Sequence, residues 1–152
     1  MSEIEERLRT SGVTLPKLPS PAYAYVPFAK NGNTLYLSGQ ISRTPSGDIL
    51  GGSVGKDATV EDAMGAARVA AINLLARIEE AVGLENVKQI LKLTVWVNSD
   101  DAFHDQPSVA DGASTLLIDI LGEAGRHART ALPSKTLPKG ALVELDAVIA
   151  VA

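Results

Sequence analysis

The chain has no cysteine, which excludes disulfide crosslinks and thiolate chemistry and suits a reducing compartment. It has only two histidines, His104 and His127, so a transition-metal site would have to be mostly carboxylate; neither a metal nor another cofactor is expected. Aromatic residues make up only 4% of the chain and offer little for stacking on bases. Positive charge is not in excess. The 14 Lys and Arg against 18 Asp and Glu give a net charge of −4, the reverse of the clustered basic footprint that phosphate neutralisation requires. No apolar run approaches the roughly 18 residues of a membrane span. The N-terminus, Met1-Ser-Glu-Ile-Glu-Glu-Arg-Leu, is charged where a signal peptide needs an apolar core. These absences point to a soluble cytoplasmic protein that binds neither nucleic acid nor membrane.

What remains is an ordinary globular composition, 45% hydrophobic and 21% charged, too apolar for intrinsic disorder. A length of 152 residues fits one domain with a real core. Ser2, with Glu5 three residues on, reads as a capping box opening a short helix. The prolines from Leu15 to Pro21 impose an extended lead-in. Residues 1–20 are therefore expected to precede a body spanning 21–152. Asn31-Gly32, between the runs Tyr23–Lys30 and Asn33–Gln40, predicts a β-hairpin whose first strand is weakened by Pro27.

Thr59, followed by Glu61 and Asp62, predicts a helix start. Met64, Ala67, Ala71, Leu74, Leu75, Ile78 and Val82 then recur at helical spacing until Gly83. Ile90 to Val97 suits a central strand. Pro107 opens a second helix with its stripe at Val109, Ala113, Leu116, Leu117, Ile120 and Leu121. A strand around His127 to Leu132, a Pro133 to Gly140 connection and a long strand from Ala141 to Val151 follow. The order describes an α/β sandwich, with helices on a mixed sheet.

Several motifs invite chemistry. Gly51-Gly-Ser-Val-Gly55-Lys56 is not a phosphate loop, because Leu50 and Asp57 occupy places that need glycine and Ser or Thr. Ser38 and Ser114 lie outside any nucleophile elbow. His127, if in a strand, shares a face with Arg129. Glu144 and Asp146 alternate with Val143, Leu145, Ala147, Ile149 and Val151, so the acidic face of that strand is either solvated or lines a cleft.

Arg129-Thr-Ala131-Leu, Leu137-Pro138 and Val143-Glu144-Leu-Asp-Ala-Val-Ile-Ala resemble the C-terminal signature of the RidA/YjgF family of enamine/imine deaminases, long labelled endoribonuclease L-PSP. Leu37-Ser38-Gly39-Gln40-Ile41 and Thr94-Val95-Trp96-Val97 are similar to two further family segments, and the likeness spans about Tyr25 to Ala150. It implies a chorismate-mutase-like fold, a mixed sheet with two helices on one face, and a homotrimer with a barrel-like core. It also implies small carboxylates, imino or keto acids, bound in clefts between subunits. Carried over, Arg129 grips the substrate carboxylate and Glu144 handles water and protons. Tyr25, Ser38, Gly39 and Ala131 border the substrate, and His127 joins them as a candidate because in a strand it shares a face with Arg129.

Asp111-Gly-Ala-Ser114 and Gly125-Arg-His-Ala-Arg129 resemble a longer-chain subgroup. Two departures stand out. Ala131 replaces the family's cysteine, and the second helix offers no counterpart of its substrate-binding asparagine. The activity implied is hydrolysis of 2-imino or 2-enamino acids to 2-keto acids and ammonia. The alternatives are a non-catalytic carboxylate-binding trimer and, against the charge balance, RNA cleavage.

Overall fold

In the computed structural model, which describes residues 1–152, the strands are β1 (Phe28–Asn31), β2 (Thr34–Ile41), β3 (Val87–Asn98), β4 (Ala128–Ser134) and β5 (Val143–Val151). The α-helices are α1 (Glu3–Thr10), α2 (Val60–Ala81) and α3 (Gln106–Leu121). The strands form one sheet in the order β1-β2-β5-β3-β4. β3 and β4 run parallel, while the other neighbours are antiparallel. Strict period-two alternation along β5 buries Val143, Leu145, Ala147, Ile149 and Val151. The stripes of α2 and α3 close the core over that face. The fold is thus a mixed α+β sheet with two long helices on one side, as expected.

The helix starts follow local chemistry. Ser2 and Glu5 form the expected capping box, and Thr59 forms another with Asp62, whose carboxyl is held below its usual range by those bonds to Thr59. Asp105, which the sequence reading overlooked, caps α3 by accepting from the Ser108 amide. Gly112 lets α3 cross α2 closely, since a β-carbon there would lie 2.2 Å from the Met64 carbonyl oxygen.

Several boundaries differ from expectation. The hairpin turn falls on Gly32-Asn33, with Asn31 paired to Thr34, and Gly32 alone takes positive φ. The first strand starts only at Phe28, because Pro27 cannot donate to a ladder and the chain before it bends away. β4 runs on through Pro133 to Ser134; it is an edge strand, where a missing amide donor is tolerated. His127 precedes this strand. No helix is long and apolar enough to cross a membrane.

Candidate functional site

Residues paired across a sheet share a face, and this rule separates the two central candidates. Glu144 pairs with Trp96 and Arg129 with Leu93. Leu93 is buried under the helices, whereas Glu144 and Trp96 are half-exposed on the opposite face. Within one chain, Arg129 and Glu144 therefore belong to different surfaces.

Glu144 lines a cavity of about 520 Å³ together with Tyr25, Gly39, Arg43, Arg77 and Lys139. Register slips between Leu37 and Gln40 in the β2–β5 pairing, and this irregularity contains Ser38 and Gly39. A β-carbon on Gly39 would lie 2.5 Å from Glu144 Oε2, so only glycine lets the carboxylate rest against the bulge. Ser38 serves as a clamp: its hydroxyl donates to the Val26 carbonyl at 2.6 Å and its amide donates to that of Pro27 at 3.0 Å. These bonds hold the lead-in against the sheet and keep Tyr25 at the cavity. Ser38 itself does not line it. Burial raises the Glu144 carboxyl above its ordinary range, and the nearby Asp146 charge adds to the effect. Asp146 is also raised, through burial alone.

On the other surface, Arg129 reaches α3. Its Nη1 donates to Asp111 Oδ1 at 2.7 Å and to Ser114 Oγ at 3.1 Å, and its Nη2 donates to the Pro107 carbonyl at 3.3 Å. Asp111 and Ser114 stand three apart on one helical face. With Nη1 occupied, the edge formed by Nε and the second Nη2 hydrogen is the one left to meet a carboxylate in two parallel bonds. Ser114 Oγ lies 2.8 Å from His127 Nε2, and His127 Nδ1 lies 2.6 Å from the Gly125 carbonyl oxygen. A carbonyl only accepts, so the proton sits on Nδ1; in the neutral ring Nε2 then accepts from the Ser114 hydroxyl. Burial lowers the His127 pKa, and the Arg129 charge lowers it further against the opposing Gly125 bond. The ring is therefore neutral at pH 7.

The structure thus gathers Tyr25, Gly39 and Glu144 at one cavity, with Ser38 behind it. Arg129 and His127 meet in a second depression of about 240 Å³. Ala131 lies on the same face of β4 as Arg129 and packs against the core. The sequence reading passed over Ser114 as a helix-interior serine and did not find the basic lining of the first cavity. Asp111-Gly-Ala-Ser114 and Gly125-Arg-His-Ala-Arg129 are paired in sequence only by their resemblance to a subgroup, and the fold brings their side chains into contact. His104 is exposed. The glycine-rich loop at Gly51 is not an anion cradle, since the Ser53 amide donates to the chain's own Asp57 at 2.7 Å.

A model of the family described as YjgF/chorismate mutase-like, putative endoribonuclease, matches residues 5–149. Protein TCP17 of Trypanosoma cruzi is 38% identical over 148 residues, covering 96% of this chain and 92% of TCP17. The crystal structure of Atu1372 from Agrobacterium tumefaciens, a protein of unknown function, is 41% identical with a TM-score of 0.89; the match covers 98% of this chain and 94% of that one. A putative endoribonuclease from Shewanella oneidensis MR-1 is 33% identical with a TM-score of 0.93, covering 99% and 100% of the two chains.

Proposed function

Because the chain belongs to the YjgF/chorismate mutase-like family, we propose that it hydrolyses small 2-imino and 2-enamino acids to 2-keto acids and ammonia. The observation that carries this reading is Glu144, a carboxyl raised by burial beside Tyr25 and Gly39 in a cavity of about 520 Å³. A carboxyl raised by burial keeps its proton more readily than a solvated one, which suits a group that must accept a proton and return it. Glu144 takes a proton from water as the oxygen bonds to C2 of the imine. The imine nitrogen takes up that proton to give the carbinolamine; Glu144 then passes the C2 hydroxyl proton to the nitrogen as the C–N bond breaks, so that ammonia leaves and the C2 oxygen becomes the keto group. Tyr25 closes the cavity over the substrate.

The carboxylate grip requires a second copy of the chain. Arg129 sits on the edge strand β4, on the face opposite Glu144, so the arginine that meets a substrate at Glu144 comes from a neighbour. The helix-free face of the sheet favours such an assembly, since it exposes Tyr36 at 49% and Leu132 at 41%. A homotrimer, with three such faces turned inward, is the assembly proposed. Light scattering should then give three times the 15.9 kDa chain mass, and a stable monomer would remove the cleft.

A binding protein without catalysis is the second reading, favoured by the fixed tethering of Arg129 to Asp111 and Ser114. The ribonuclease label of the family is opposed by the net charge of −4. The deciding experiment generates 2-imino acids in situ and compares wild type with Arg129→Ala, after subtraction of spontaneous hydrolysis. A rate above background that depends on Arg129 supports the hydrolase. Keto-acid binding without such a rate supports the binding protein.

A further inference from the structure

The cavity at Glu144 holds more positive charge than a three-carbon imino acid can use. Of its charged lining residues, Arg43, Arg77 and Lys139 are basic and Glu144 alone is acidic, in a chain whose net charge is −4. Neither Arg43 nor Lys139 takes part in any of the five ion pairs of the structure. Arg77 is only 6% exposed. Its Nη1 donates to Glu80 at 2.9 Å and its Nη2 to the Pro19 carbonyl at 2.5 Å, but its buried Nε has no acceptor. Buried donors are almost always satisfied, so Arg77 keeps an uncompensated donor behind the cavity wall.

The layout separates these cations from the reacting end. Glu144 projects from β5 on the helix-free face, whereas Arg77 belongs to α2, which covers the other face. The cavity therefore passes the end of β2, and Arg43 stands just beyond that end. Its backbone is fixed there: the Arg43 carbonyl accepts from Asn73 Nδ2 at 3.0 Å, and Arg43 bridges to Ile49. Lys139 is held at φ 58°, the one non-glycine residue of the chain with positive φ. Such a conformation is unfavourable for a lysine and persists where the surroundings impose it, often beside a functional site. The volume of about 520 Å³ lies within the range of sites that enclose ligands much larger than pyruvate.

We propose that the end of this cavity walled by Arg43, Arg77 and Lys139 is a subsite for a second carboxylate, so that the molecule taken up is a 2-imino or 2-oxo dicarboxylate. The assignment of the reacting end rests on the hydrolase reading; the subsite itself rests on the basic wall. One carboxylate, on C2, meets the neighbour's Arg129, and the distal one meets Arg43 and Lys139. Arg77 contributes charge from behind them. Low-dielectric walls concentrate the field of such a cluster on an anion within.

The test compares 2-oxoglutarate with 2-oxopentanoate, which share a five-carbon chain and differ only in a distal carboxylate or methyl. In calorimetry on the full chain, wild type should bind the dicarboxylate about tenfold or more tightly, as charge-assisted contacts predict. That ratio should fall toward one in Arg43→Gln and in Lys139→Met. The second variant alters an exposed side chain and guards against misfolding of the first. Equal affinity for both ligands in wild type, or an undiminished ratio in both variants, overturns the subsite. Hydrolysis rates for the two corresponding imines separate the subsite from the hydrolase reading. Catalysis without dicarboxylate preference sinks the subsite and leaves the hydrolase standing. Dicarboxylate binding that depends on Arg43, without catalysis above background, supports the subsite and sinks the hydrolase.

Discussion

The two polar regions of this molecule are built on opposite plans. Around Glu144, charged groups line a cavity with few fixed partners, and burial raises two carboxyls, Glu144 and Asp146. Around Arg129, by contrast, Asp111, Ser114, His127 and the Gly125 carbonyl are joined in one chain of hydrogen bonds. The first region holds carboxyls that keep their protons to a higher pH than solvated ones do. The second holds a guanidinium in one orientation, with Nη1 and one Nη2 hydrogen occupied and Nε unbonded within the chain. A site that unites them across a subunit boundary combines a titratable group from one copy with a rigid grip from the next.

The largest expected effect tests the titratable half. Glu144→Gln preserves size and hydrogen bonding but removes basicity, so imine hydrolysis should fall by about a hundredfold or more. Keto-acid binding should persist by calorimetry. Unchanged initial rates, corrected for background, would move the proton chemistry away from Glu144.

Next in size is the rigid half. Arg129→Lys should weaken keto-acid binding by about ten- to a hundredfold, because an ammonium cannot reproduce two parallel charge-assisted bonds. Equal affinity would make Arg129 a purely structural partner of Asp111. Ser114→Ala is milder, since Arg129 keeps Asp111. Losing the hydroxyl that joins Arg129 to His127 should cost about 1 kcal/mol of stability in chemical denaturation. It should also free the His127 tautomer, as read by nitrogen NMR. A wild-type tautomer population in the variant would mean that the Gly125 carbonyl alone orients the ring.

The smallest expected effect opposes the two regions in their pH dependence. A carboxyl raised in the folded state makes folding least costly below the ordinary carboxylate range, and stability declines as pH rises toward the raised value. Glu144→Gln should therefore stabilise the protein more at pH 8 than at pH 4. A histidine lowered in the folded state acts in the other direction: stability is full above the ordinary imidazole value and declines as pH falls through it. His127→Gln should flatten that acid-side decline and leave the alkaline side as it was. Thermal melts across pH read both slopes, and parallel profiles for the two variants would erase the contrast.

By itself, the sequence determined the elements. Helical spacing from Ala67 to Ile78 and from Val109 to Leu121, the Ser2 and Thr59 caps, and the alternation of β5 all act over a few residues, so they can be read along the chain. The hairpin was legible too, though one residue out of place, because a turn's register depends on pairing that local composition does not settle. Only the tertiary structure decided what each polar residue meets. Ser114, inside a helix, gains its partners only because β4 and the residue before it bring Arg129 and His127 against it. Arg43 and Arg77 are 34 positions apart in the chain and share a cavity only because α2 packs beside the end of β2. Glu144 and Arg129 carry neighbouring sequence signatures, yet the pleat assigns them to opposite faces. Secondary structure follows short-range sterics and hydrogen bonds, whereas a site depends on side chains that converge from distant segments, and that convergence exists only once the sheet and its helices have packed.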